Sequence, residues 1–411
     1  MGLHKRVLIA NRGEIAIRIA KAAKALGMES VAVHASIDAM SLHTRMTTHV
    51  RPLSQDGIAA YLDGAAMIDV AKQMDCDCIH PGYGFLSENA KFAEMCAAEG
   101  VVFVGPPASA LTLFGNKVMA RSLAQSCNIP VVPGSSATLS SVAEAQGIGE
   151  SVGYPVMLKA AAGGGGRGMR VVASAEDFKE ALERCRSEAM AAFGCDDVFM
   201  EKLIERPRHI EVQILADAMG ETIHLYERDC SVQIHNQKVV EIAPAAGLEE
   251  SLRQKMHDDA IKLVKAASYV NAGTVEFLVS PEEGSYHFIE CNPRIQVEHT
   301  VTEQVTGIDL VATQFQIAGG ASLENLGLAD QTNIAAPRGY AIQARIVAQG
   351  VGVITGYKEP SGSGVRVDAC GYLGYAPPAQ FDPLLAKLIC TSQIGGSLTD
   401  AVARTLGALD E

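Results

Sequence analysis

A chain of 411 residues is too long for one ordinary core, so two or three domains are expected. Apolar residues make up 48% and charged residues 20%, ordinary globular values that exclude extensive disorder. A net charge of −13 without a basic run or stripe argues against nucleic acid as a partner, and no apolar run reaches the roughly 18 residues that span a bilayer. A soluble, cytoplasmic protein is expected. The ten cysteines are scattered, there is no signal peptide, and Cys76-x-Cys78 lacks a second pair at zinc-ligand spacing, so they read as reduced thiols.

Arg6 to Ala10 is a buried-strand run, Glu14 to Leu26 has helical apolar spacing stopped by Gly27, and Ser30 to Val33 is a second strand. This strand, helix, strand unit predicts a doubly wound α/β domain. Its turn, Asn11-Arg12-Gly13-Glu14, has one glycine where a dinucleotide fingerprint needs three, which argues against that ligand. His80-Pro81-Gly82-Tyr83-Gly84-Phe85-Leu86-Ser87-Glu88-Asn89 follows a strand ending near Ile79. A loop there suits a ligand crevice or, equally, a rigid turn. Val101 to Gly105 is another strand, Gly105-Pro106-Pro107 closes the domain, and Ser109 to Gln125 reads as one helical segment carrying Lys117.

Tyr154 to Ala160, containing Lys159, and Met169 to Ala173 read as strands flanking Ala161 to Gly168, a run with four consecutive glycines, Gly163 to Gly166. No helix follows and no Lys-Ser/Thr closes a phosphate loop, so the expectation is a hairpin lid whose backbone N–H groups fold over phosphates, with Lys159 adding charge. Its alternative is a merely flexible hairpin. Asp197 to Leu203 reads as a strand, and His209-Ile210-Glu211-Val212-Gln213 alternates with one polar face. Arg228 to Lys238 reads as too polar for a core strand, and Leu248 to Ser268 as a helix.

Thr274 to Val279 and Tyr286 to Glu290 are β-rich runs around the turn-forming Pro281-Glu282-Glu283-Gly284-Ser285. A hairpin centred on Glu283 sets Glu276 opposite Glu290. Like charges directly across a hairpin are destabilising unless something positive lies between, so the pair fits a hard divalent cation, with Asn292 as a third oxygen, or two solvent-facing glutamates. Beyond it, Arg294, Gln296 and Glu298 alternate with Ile295 and Val297; in an extended segment they share one face, which suits an anionic substrate beside its general base. Thr306 to Ala318 predicts an amphipathic helix. Gly339 to Ile346 is a β-run that sets Arg345 among small and apolar neighbours, where a charge must be paired or face a site. Gly364 to Asp368 and Phe381 to Leu388 give a strand-rich closing region, and Leu398 to Leu409 a final helix.

The run Asn292-Pro293-Arg294-Ile295-Gln296-Val297-Glu298-His299-Thr300-Val301-Thr302-Glu303 closely resembles the signature of the biotin carboxylase family, part of the ATP-grasp superfamily, and the resemblance extends from Val7 to about Leu388. It implies an α/β ATP-grasp fold: a doubly wound domain over 1–115, an ATP-grasp domain over 116–325 with a glycine-lid subdomain at about 132–203, and a truncated C-terminal β-rich domain over 335–411. It implies Mg-ATP-dependent carboxylation of carrier-bound biotin by bicarbonate. By matching residues, Glu276, Glu290 and Asn292 would hold Mg²⁺ (or Mn²⁺). Lys117, Lys159, Gly164, Gly165, Gly166, Glu201, Lys202, Leu203, His209 and Gln233 would contact nucleotide. Lys238 and Arg294 would bind bicarbonate, Glu298 would remove its proton, and Arg345 would hold the biotin ring oxygen.

The sequence departs from the family at Ile234-His235-Asn236, where two arginines are usual, and at Val347-Ala348-Gln349-Gly350, which shortens a common insertion. The second departure resembles single-chain acyl-CoA carboxylases, so an acyl-CoA carboxylase is the first expectation; pyruvate carboxylase or another acyl-phosphate-forming ligase is the alternative. No Met-Lys-Met triplet marks a biotinylated lysine. The biotin carrier domain and carboxyltransferase are therefore expected outside this chain, which reads as a fragment of a longer, self-associating protein.

Overall fold

A computed structural model describes residues 4–161, 168–280 and 282–411. The N-terminal strands β1 (Arg6–Ile9), β2 (Glu29–His34), β3 (His49–Pro52), β4 (Cys78–His80) and β5 (Val102–Phe103) form a parallel sheet in the order β3-β2-β1-β4-β5. Helix Gly13–Ala25 crosses from β1 to β2 and packs Ile15 and Ile19 with Val7 and Ile9 of β1 and with Leu310, Val311 and Phe315 of helix Leu310–Ala318. The same cluster takes in Ile295, so the core of the parallel sheet also anchors the signature run.

Strands β6 (Val156–Ala160), β7 (Met169–Val172) and β8 (Val198–Lys202) make a small antiparallel sheet with β6 central. The remaining eight, β9 (Arg208–Ala216), β10 (Thr222–Ile234), β11 (Gln237–Ala243), β12 (Asn271–Ser280), β13 (Ser285–Asn292), β14 (Ala341–Val347), β15 (Val365–Ala369) and β16 (Leu384–Thr391), form one antiparallel sheet in the order β13-β12-β9-β10-β11-β14-β16-β15. Helix Glu250–Ala266 covers one side of it, burying Met256, Ala260, Leu263 and Val264 against Ile210, Val212, Val275 and Phe277. The alternation read at 209–213 is the signature of this half-covered strand: Ile210 and Val212 face the helix while the polar residues take the other face.

Three expectations change. The helix read over Ser109 to Gln125 is two, Ala108–Gly115 and Lys117–Ser126, broken at Asn116, whose side chain accepts from the N–H groups of Val118 and Met119. An N-cap at that position opens a new helix with Lys117 as its first residue. The helix read over Thr306 to Ala318 begins only at Leu310, N-capped by Asp309; Thr306 instead ends a separate helix, His299–Thr306, which Gly307 stops in the left-handed region. Arg228 to Lys238, read as too polar for a core strand, lies across β10 and the start of β11, and Arg228 is fully buried; polar partners, not apolar composition, hold that segment.

Candidate functional site

Cross-strand register builds the site. Glu290 on β13 pairs with Glu276 on β12, Glu276 with Glu211 on β9, and Glu211 with Arg228 on β10, a row of three acids and one cation across four adjacent strands. Three like charges in a row, Glu211 and Glu276 buried and Glu290 partly exposed, are unfavourable alone. Lys238, near the start of β11, resolves the conflict: its ammonium donates to Glu211 at 2.6 Å, Glu276 at 3.0 Å and Glu298 at 2.8 Å. Burial opposes its charge, but these carboxylates hold it well above the ordinary lysine range. Arg228 bonds Glu211, Gln213, Thr274, Gln296 and Thr302, fastening the signature run to the sheet.

Glu298 occupies the N-cap position of helix His299–Thr306 in a turn, its side chain making no capping bond and turned instead to the cluster. Its carboxylate lies between Lys238 and Arg345, which donates to Glu298 at 3.2 Å and to Glu241 at 2.6 Å. Burial alone would raise Glu298; Lys238, Arg345 and Arg228 instead hold it far below the usual carboxylate range. The expected extended segment from Arg294 to Glu298 is an irregular turn. Gln296 and Glu298 still join one cluster, Gln296 donating to Glu276 at 2.8 Å. Arg294 instead donates to Glu88 at 2.6 Å and to Asn292 at 3.1 Å, reaching the loop after β4.

The sites expected for nucleotide and metal adjoin this cluster. Lys117 pairs with Glu290, and Lys159 with Glu201, which also accepts from Arg121 at 3.0 Å. His209 lies 2.7 Å from Glu276 and 3.0 Å from Gln233. Lys202 is turned to the carbonyls of Gly153 and Tyr154, and Leu203 bonds the Pro155 carbonyl through its N–H. Gly164, Gly165 and Gly166 lie outside the described residues. Glu276, Glu290 and the Asn292 amide are hard oxygen donors on paired strands, a set that fits Mg²⁺. Lys238, His209 and Lys117 now neutralise those acids, and burial notwithstanding, both carboxyls are held below the ordinary value.

Sequence reasoning missed Glu211, Arg228, Glu241 and Glu88. Glu211 was legible in the polar face of 209–213, Arg228 as a charge in a β-capable run, and Glu88 as part of the loop flagged after Ile79, though not its pairing with Arg294; Glu241 carried no local signal, because its role comes from strand register. In the departure Ile234-His235-Asn236, Ile234 is the exposed last residue of β10, paired with Gln237, and His235 and Asn236 form the turn to β11 with φ of +50° and +62°.

With this geometry established, comparison with known proteins decides the lineage. The biotin carboxylase N-terminal domain matches residues 3–111, the carbamoyl-phosphate synthase L chain ATP-binding domain 116–326, and the biotin carboxylase C-terminal domain 343–411. The chain belongs to the biotin carboxylase family. Its fold is the ATP-grasp arrangement of that family. This biotin carboxylase domain superposes with a TM-score of 0.96 and 40% identity on the biotin carboxylase domain of Hydrogenobacter thermophilus 2-oxoglutarate carboxylase, a dimer in complex with MgADP, ADP and bicarbonate, covering 100% of this chain and 90% of that one. Campylobacter jejuni biotin carboxylase, in a β-γ-ATP complex, gives 0.94 at 40% identity, covering 99% and 91%. Pyruvate carboxylase of Schizosaccharomyces pombe is 46% identical over 94% of this chain. The chain spans only 33% of that relative. No helix among the described residues is long and apolar enough to cross a membrane.

Proposed function

We propose that this domain cleaves Mg-ATP to carboxylate carrier-bound biotin with bicarbonate, through carboxyphosphate. The observation that carries the reading is the Glu298 carboxylate held between Lys238 and Arg345, beside the Glu276 and Glu290 pair. Lys238 and Arg294 would take bicarbonate, leaving the carboxylates they now hold, and Glu298 would accept its proton. A carboxylate stabilised by two cations is a weak base; bicarbonate engaging Lys238 removes part of that stabilisation and raises its basicity when substrate is present. Lys117, Lys159 and the backbone of Gly164, Gly165 and Gly166 would face the phosphates, and Glu201, Lys202, Leu203, His209 and Gln233 the rest of the nucleotide, so that phosphoryl transfer relies on positioning and charge neutralisation. Glu276, Glu290 and Asn292 would hold Mg²⁺ (or Mn²⁺), which when bound offsets phosphate charge. Carboxyphosphate would yield carbon dioxide and phosphate, the phosphate taking the biotin N1 proton while Arg345 stabilises the ring oxygen.

Pyruvate carboxylases among the relatives and a 2-oxoglutarate carboxylase among the structures favour a 2-oxo acid, pyruvate first, as the final acceptor over the acyl-CoA expected from the shortened stretch after Arg345. The carrier and carboxyltransferase would belong to the same longer chain, as the relatives' length suggests. Self-association is supported by the dimer of the Hydrogenobacter domain. ATP hydrolysis with Mg²⁺, with and without bicarbonate and free biotin, tests the reading. Turnover that needs bicarbonate, rises with biotin and is lost in Glu298→Gln is expected; bicarbonate-independent turnover would favour another acyl-phosphate-forming ligase.

A further inference from the structure

Lys387 lies in the middle of β16 with its side chain fully buried, outside the set of residues assigned above to substrates. Its ammonium is 3.0 Å from Glu14 and donates to the Val297 carbonyl at 3.1 Å. Glu14 stands in the first turn of helix Gly13–Ala25, is 3% exposed, and accepts the hydroxyl of Tyr83 from the loop after β4. Val297 immediately precedes Glu298, and Lys387 is the cross-strand partner of Arg345, so this lysine neighbours both the proposed base and one of the cations that hold it. Packing does not explain it: a methionine fills similar volume without the desolvation that a buried ammonium and carboxylate incur. What the ion pair adds is direction, since the ammonium has one carboxylate and one carbonyl to satisfy, each from a different part of the chain.

We propose that Lys387 is a positioning residue for Glu298: it fixes the Val297–Glu298 peptide so that the carboxylate lies between Lys238 and Arg345, with Glu14 holding Lys387 in place and bringing Tyr83 to the same cluster. The inference rests on the reading of Glu298 as base. The device ties the N-terminal parallel sheet, the loop after β4 and the signature run into one buried unit, so a shift of the N-terminal helix is felt at the base without any contact to substrate.

Removing Lys387 alone strands a buried Glu14, so the test uses the double variant Glu14→Gln/Lys387→Met, which removes both charges at nearly constant volume. Urea unfolding, Mg-ATP affinity, and kcat and KM for bicarbonate-dependent ATP cleavage are measured beside wild type. The expected result is a folded protein with ATP affinity and KM for ATP within about twofold of wild type and kcat lower by about tenfold or more, the scale that misplacement of a reacting group produces. A kcat within about twofold of wild type overturns the proposal, as does a parallel fall in ATP affinity and kcat, which marks a general packing role. Wild type lacking bicarbonate-dependent turnover instead overturns the functional reading, and this inference with it.

Discussion

Arg228→Met is the sharpest test of the charge row. Arg228 is fully buried and bonds the fully buried Glu211 together with Gln213, Thr274, Gln296 and Thr302. Breaking a buried ion pair by deleting one partner costs about 3–5 kcal/mol. Lys238 remains 2.6 Å from Glu211 and offsets part of the loss, so the lower end, about 3 kcal/mol, is expected. The chain has no tryptophan, so urea unfolding is followed by far-UV circular dichroism. The double variant Arg228→Met/Glu211→Gln, which removes both charges, should recover part of the single variant's loss, as coupling in a double-mutant cycle. A single variant within about 1 kcal/mol of wild type, or a double variant no more stable than the single, refutes the account of the row as a mutually neutralised set.

Glu88→Gln frees Arg294 from a partly exposed competitor, worth up to about 1 kcal/mol, and should lower the KM for bicarbonate by up to about fivefold; an unchanged or raised KM counts against Arg294 as an anion site. Glu290→Gln should raise the Mg²⁺ concentration for half-maximal turnover by about tenfold or more, measured by metal titration at saturating ATP; an unchanged requirement removes Glu290 from the metal set. His43 is buried, bonds the Val33 carbonyl at 3.2 Å, and burial pushes it down to about 4. Its unfolded value is near 6.5, so the unfolded chain binds the extra proton first and stability falls as pH drops from about 6.5 towards 4. Between pH 7 and 5 the His43 share is about 2 kcal/mol, and His43→Gln should flatten that slope in urea unfolding at the two pH values; an unchanged slope refutes it.

The doubly wound start and the β12–β13 hairpin were readable because short-range patterns specify them: apolar runs punctuated by glycine, and a turn that fixes Glu276 against Glu290. The signature run exposed Arg294, Gln296 and Glu298, but its backbone form was misjudged, since alternation over five residues does not by itself specify a strand; the turn buries Ile295, Gln296 and Glu298 together. Glu211 and Arg228 stood out locally as a polar face and a charge in a β-capable run, but that they meet each other and Lys238 follows from the register of β9, β10 and β11, and register between strands distant in sequence leaves no local mark. Lys387 and Glu14 are the extreme case: they are 373 residues apart in number, 387 against 14, and meet only where β16 passes the N-terminal helix.

The most direct measurement is transfer of the carboxyl group from labelled bicarbonate to free biotin, with Mg²⁺, with and without ATP. Label on biotin that requires ATP and is lost in Glu298→Gln is the predicted result. ATP cleavage with no label on biotin, in the wild-type protein saturated with biotin, would contradict the account of this site as a biotin carboxylase centre.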